Sequence, residues 1–196
     1  MSDNEWLLFL AQLPATPSSL RVSVWRKLRN AGAASLQNGA WILPRSPGST
    51  IFMERLQAYV KQNEANSQVF LVQGINQTTQ EDIFSRFEND RDQEYDEFLE
   101  QCEVFLSELE KETLDEKFTF AELEENEQNL QRLEKWIEKI KKRDFFNARK
   151  SKAALVKLQS CRQRLETYTR EVYAREGIEV LPDDSLLSGQ ENDSDE

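Results

Sequence analysis

Apolar and polar positions change rhythm once along this chain, near residue 77. Before that point, short apolar runs alternate with stretches of helical period. Beyond it the period is helical almost throughout. The first run, Glu5–Leu13, is apolar on both faces, which suits a central strand covered on both sides. A helix is predicted over Pro17–Ala31, where Leu20, Val24, Leu28 and Ala31 share one stripe. Thr16 offers a capping hydroxyl, Pro17 fits the first helical position, and Gly32 fits the C-terminal cap. Short strands at Ala33–Gln37 and Ala40–Leu43 flank Asn38-Gly39, a pair suited to a type I′ turn because both positions need positive φ. After a Pro44, Pro47, Gly48 loop, Ile51, Phe52, Leu56, Tyr59 and Val60 give a helix over Gly48–Asn63 one buried face. Gln68–Gln73 reads as the last strand. The order β-α-β-β-α-β is the split βαβ, or ferredoxin-like, arrangement.

From Thr79 the pattern predicts three helices. Ile83, Phe84, Phe87, Tyr95, Phe98, Leu99, Cys102, Phe105, Leu106 and Leu109 mark the first. After a break at Thr113–Thr119, Phe120, Leu123, Leu130, Leu133, Ile137 and Ile140 mark the second. After a break at 143–146, a third is predicted over Ala148–Glu176. Its inner side comprises Ala154, Leu155, Leu158, Cys161, Leu165, Tyr168, Val172 and Tyr173. The short turn between the last two makes them an antiparallel pair. The class is therefore α+β. A ferredoxin-like unit (1–76) precedes a helical unit (77–177), and 178–196 reads as an acidic, disordered tail.

Charge sharpens this picture. The net value of −11 conceals four blocks. Residues 1–76 hold seven cations and four anions; 77–138 hold six and twenty-one; 139–175 hold twelve and three; 176–196 hold none and eight. The acidic and basic helical blocks are expected to pair with each other, and the alternative is that the basic block binds an anionic partner. No run approaches the roughly 18–20 apolar residues of a membrane span. The first residues are acidic and the apolar run ends in Pro14, unlike a secretory signal. Cys102 and Cys161, far apart and outside any Cys-x-x-Cys, suit reduced thiols of a cytoplasmic protein. The chain has no histidine, which excludes His-based zinc sites and Ser-His-Asp triads.

Candidate chemistry is sparse. No phosphate loop, dinucleotide loop or nucleophile elbow occurs, so no enzyme, metal or cofactor is expected. Asp90, Asp92, Glu94, Asp96 and Glu97 lack the glycine and spacing of a calcium loop and read as a solvated helix face. Nucleic-acid candidates are Arg26, Lys27 and Arg29 on the first helix. Lys139, Lys141, Lys142, Lys150 and Lys152 join them around the second break, where Phe145 and Phe146 also lie. The competing reading pairs that basic turn with Glu124, Glu125 and Glu127. Oxyanion candidates are Arg21, Arg143 and Arg149, since guanidinium forks suit tetrahedral dianions. Arg21 falls beside the apolar stripe, either lining a polar pocket or, as preferred, paired with an acid of the helical unit. A charged helical hairpin also suits a scaffold or dimerisation module, the alternative function.

Short motifs in one order carry a resemblance. They are Trp6-Leu7-Leu8, Gln12-Leu13-Pro14, the run from Arg21 to Leu28, Gly32-Ala33, and Asn38-Gly39 ahead of Ile42-Leu43-Pro44. Phe87, Tyr95, Phe98, the run from Ile140 to Phe146, and Cys161, Leu165 and Val172 complete the set. In these the chain resembles the N-terminal domain of ChrB-type chromate resistance proteins, over about residues 5–177. The resemblance implies a chromate-responsive, non-enzymatic regulator of transcription. The partners it implies are DNA, chromate or sulfate. A homodimer would double the basic turns. Full-length family members carry a further C-terminal domain that this sequence lacks, so a separate protein supplying it is a further expected partner.

Overall fold

The computed structural model describes residues 5–16 and 18–177, and the expected N1 proline Pro17 and acidic tail lie outside them. The elements are β1 (Trp6–Gln12), α1 (Ser19–Asn30), β2 (Ala34–Gln37), β3 (Ala40–Pro44), α2 (Pro47–Gln62), β4 (Asn66–Val72), α3 (Gln77–Leu114), α4 (Phe120–Lys141) and α5 (Ser151–Arg175). The sheet runs β2-β3-β1-β4 with every neighbouring pair antiparallel. β3 is inserted between β1 and β2, which is the ferredoxin-like order read from the sequence. The α+β class stands as expected.

Local chemistry explains most boundaries. Ser46 caps α2 by accepting from Ser49 N at 3.0 Å, with Pro47 at the first helical position. Asn76 caps α3 through Thr79 N at 2.8 Å, and Thr119 caps α4 through Glu122 N at 3.3 Å. Gly32 and Gly39 have φ of +78° and +77°, which glycine adopts without a Cβ penalty. The expected cap at Thr16 is not where α1 begins. Ser18 occupies the cap position in a helical conformation and makes no side-chain cap bond.

β1 is covered on both faces. Leu7 and Phe9 pack with Leu20, Val24 and Leu28 of α1 and Met53, Leu56 and Val60 of α2. Burying each such side chain contributes about 1.5–3 kcal/mol. Trp6, Ile42 and Ala34 look the other way, onto Ile83 and Phe87 of α3. The Trp6 ring stacks on Phe87 at 5.6 Å, takes Phe84 and Phe146 at its edges, and donates from Nε1 to Gln80 Oε1 at 2.7 Å.

α3 serves both layers. Its first turns cover the sheet, and from Tyr95 to Leu109 it shares one core with α4 and α5. The pairing of α4 with α5 is therefore part of a three-helix bundle. Two stripe positions of the bundle differ from expectation: Leu155 is 42% exposed and Phe120 is 44% exposed, because three helices bury a narrower arc of each surface than the sequence pattern offers. On α2, Ile51 is likewise 48% exposed and Met53 is buried in its stead.

Candidate nucleic-acid interface

The acidic run on α3 is a solvated face only in part: Glu97 is exposed and Asp96 is 47% exposed at its side chain, but the other acids turn inward. Asp92 is buried, and Glu94 is only 15% exposed at its side chain. They meet the turn between α4 and α5. Glu94 Oε2 accepts from Arg143 Nη2 at 2.8 Å and from Arg91 Nη1 at 3.1 Å. Arg29, at the end of α1, approaches Asp90 at 3.7 Å and Glu94 at 4.0 Å. Three guanidiniums thus share two carboxylates. Burial pulls the pKa of Arg91 down, against the opposing pull of Glu94, and the Nε atoms of Arg91 and Arg143 are buried without hydrogen-bond partners. Charge in this cluster is left positive.

The turn itself is held rigidly. Asp144 accepts from Ala148 N at 3.0 Å and from the Tyr95 hydroxyl at 3.1 Å. Burial pushes that phenol up to about 12. Asp92 accepts from Lys150 N at 3.1 Å and faces Arg149 at 3.4 Å. Lys150 also pairs with Asp96. Phe145 and Phe146 turn inward onto Phe87, and Phe146 also meets Phe84 and Trp6. They anchor the turn, Phe146 half-buried and Phe145 still 38% exposed.

Gly32 fixes how α1 meets this turn. A Cβ there would lie 2.9 Å from Arg143 Cβ and 3.1 Å from the Phe145 ring. The two basic segments named from sequence, more than a hundred positions apart, therefore abut. Arg26, Lys139, Lys142 and Lys152 are exposed, and none has an ion pair or side-chain hydrogen bond among the described residues. Lys27 lies over the Tyr59 ring at 4.8 Å, and Lys141 pairs with Glu138 at 2.9 Å. Apart from Glu138 on Lys141, the acids that other elements bring to this basic segment come from α3, and Glu124, Glu125 and Glu127 take no part. They lie nearer the other end of α4, more than two helical turns from Lys139.

The three oxyanion candidates differ in what they meet. Arg143 and Arg149 are engaged with carboxylates of α3, Arg149 approaching Glu88 as well as Asp92. Arg21 is exposed and makes no ion pair with the helical unit, contrary to the preferred reading. It donates to the carbonyl of Ala15 at 2.7 Å, because the 14–16 loop folds back over the start of α1. The pairing with acids of the helical unit expected of Arg21 is made instead by Arg29. Arg21 instead lines an open cleft of about 680 Å³ with Arg29, Trp25, Asn38 and Trp41.

Glu94 and Arg91 were not singled out individually from sequence. A signal existed: Arg91 stands four residues after Phe87 and four before Tyr95, on the apolar stripe itself. Among the described residues no group of His, Cys, Asp and Glu is arranged to hold a metal ion. No helix there is long and apolar enough to cross a membrane.

A family model described as "Protein ChrB, N-terminal" matches residues 21–178. Protein ChrB of Cupriavidus metallidurans is 28% identical over 97 residues, a stretch covering 50% of this chain and 29% of that protein. The chain thus spans under a third of that relative in the matched region. The family match opens at Arg21 in α1 and takes in both basic segments, Gly32 and the whole bundle.

Proposed function

Because the chain belongs to the ChrB N-terminal family, we propose that it serves chromate resistance as a non-enzymatic, chromate-responsive regulator that contacts DNA. The contact surface is the junction of α1 with the α4–α5 turn. The observation that carries this reading is the packing of Gly32 on Arg143 and Phe145. It sets the end of α1, with the exposed Arg26 about one turn before Arg29, against the turn flanked by the exposed Lys139, Lys142 and Lys152, while Glu94 and Asp92 of α3 are paired with Arg143 and Arg149. Lysines without carboxylate partners keep their charge available to phosphates, and each phosphate neutralised releases counterions.

The test is binding of labelled duplex DNA by anisotropy across a salt series. Affinity should fall linearly on logarithmic axes, by about 0.9 in slope per phosphate contact. A Lys139→Glu, Lys142→Glu, Lys152→Glu triple variant, with its fold checked by circular dichroism, should lose the affinity and the slope. Binding that is absent at low salt in the parent, or undiminished in the triple variant, would refute the surface.

Oxyanion sensing has one favourable observation of its own. Among the described residues Arg21 bonds only to backbone carbonyls and lines the cleft beside Arg29, with no carboxylate paired to it. Chromate should raise the unfolding midpoint beyond a sulfate control of equal ionic strength. Arg21→Ala should abolish that difference; a shift that persists in this variant assigns the anion elsewhere.

A further inference from the structure

The two edges of the sheet are built differently. β2 has four residues, its register slips between Ser35 and Gln37, and Arg86 of α3 donates to the Ser35 carbonyl at 3.2 Å. Short length, irregularity and a covering charge are the usual guards of an edge strand. β4 has none of them. It runs seven residues in unbroken register against β1, and Asn66–Val72 carries no charged side chain in a chain that is 31% charged. Phe70 is 43% exposed and Leu71 is 50% exposed, on opposite faces of the strand.

Hydrogen-bond parity shows which backbone groups face outward. Ala11 N donates to Gly39 O and Glu5 O accepts from Arg45 N, so odd-numbered residues of β1 bond towards β3. Even-numbered residues bond β4, where Leu8 opposes Phe70 and Leu10 opposes Gln68. The N–H and C=O groups of Ser67, Val69 and Leu71 therefore point away from the sheet. Among the described residues their one partner is the Gln57 amide, which donates to the Ser67 carbonyl at 3.2 Å.

We infer that β4 pairs with β4 of a second copy of this chain, antiparallel about a two-fold axis at Val69. This register makes the strand its own complement. Val69 exchanges both backbone bonds with its symmetry mate, Ser67 exchanges with Leu71, and Phe70 lies beside Gln68 of the other copy. No charge opposes a like charge anywhere in the row, although the chain as a whole is strongly anionic and would repel its copy elsewhere. The inference rests on the edge alone and does not depend on what the basic surface binds.

Sedimentation equilibrium of the full chain tests it. The mass should rise with concentration from 22.9 kDa towards twice that value. Val69→Pro removes an outward N–H without touching the β1 ladder, and Leu71→Lys adds an edge charge. Each folded variant should weaken association at least tenfold. Amide exchange at Ser67, Val69 and Leu71 should slow as the parent associates. A parent that stays at 22.9 kDa up to about 1 mM overturns the inference, since the self-affinity would then be negligible. So does a dimer that Leu71→Lys leaves unchanged, or one in which those three amides exchange at the monomer rate.

Discussion

Arg143 Nη2 sits 2.8 Å from Glu94 Oε2, joining residues 49 positions apart and tying the α4–α5 turn to the helix that also carries the sheet. Arg91 and Arg29 converge on the same carboxylate, so one acid neutralises charge from three elements.

Removing that acid should be costly. Glu94→Ala leaves Arg143 without its hydrogen-bonded carboxylate and Arg91, 2% exposed, with the more distant Asp90 to balance it. Breaking a buried pair from one side costs about 3–5 kcal/mol, and the solvent reaching Glu94 places this case near the lower figure. Urea unfolding gives the value. A loss under about 1 kcal/mol, the level of a surface pair, would show that the cluster is not buried in solution.

Gly32→Ala combines two penalties. The position has φ +78°, and the new methyl meets the Cβ of Arg143 at 2.9 Å and its Cα at 3.2 Å. Stability should fall by more than the roughly 1 kcal/mol of a left-handed alanine alone. DNA affinity, measured well below the melting midpoint, should fall as the two basic segments separate. Unchanged affinity would mean that their juxtaposition is irrelevant to binding.

Alkaline pH should weaken the bundle. Burial pushes the phenols of Tyr95 and Tyr168 up to about 12, and nearby carboxylates add to the effect. A phenol that holds its proton more tightly when folded contributes stability that is complete below the unfolded pKa of about 10. That contribution is lost as pH rises through the folded value. Unfolding midpoints should therefore drop between pH 10 and 12. Tyr95→Phe and Tyr168→Phe should each flatten that slope, and equal slopes in parent and variants would contradict the assignment.

Trp6→Ala should loosen α3 from the sheet. The ring is 1% exposed, stacks on Phe87 and donates to Gln80. Losing so large a buried ring costs about 3–5 kcal/mol. Near-ultraviolet dichroism should lose its aromatic signal while far-ultraviolet helicity largely remains below the new midpoint.

Much of the architecture was legible before folding. Asn38-Gly39 placed the hairpin because its backbone demand is local, and the stripes of α4 and α5 announced a pair. Boundaries moved by a few residues where caps competed, as at Ser46-Pro47 and Asn76. Within the acidic run at 90–97, Glu97 faces solvent as the pattern indicates, while Asp92 and Glu94 do not, since charge alone does not reveal that Arg29, Arg143 and Arg149 arrive from elsewhere to meet the run. Arg21 and Arg29 show the same difficulty: both flank one helical stripe, yet only Arg29 reaches the acids of α3.

Strand and helix order, the hairpin turn and the opposed charge blocks are properties of neighbours along the chain, where periodicity, capping and backbone preference act over a few residues. Which cations are spent on internal acids, and which remain for a partner, depends on contacts between α1, α3 and the α4–α5 turn. Those contacts are set by Gly32 admitting Arg143 and Phe145 at close range and by Trp6 seating α3. Desolvation then decides which charges pair, and it acts on three-dimensional burial, which linear spacing does not encode.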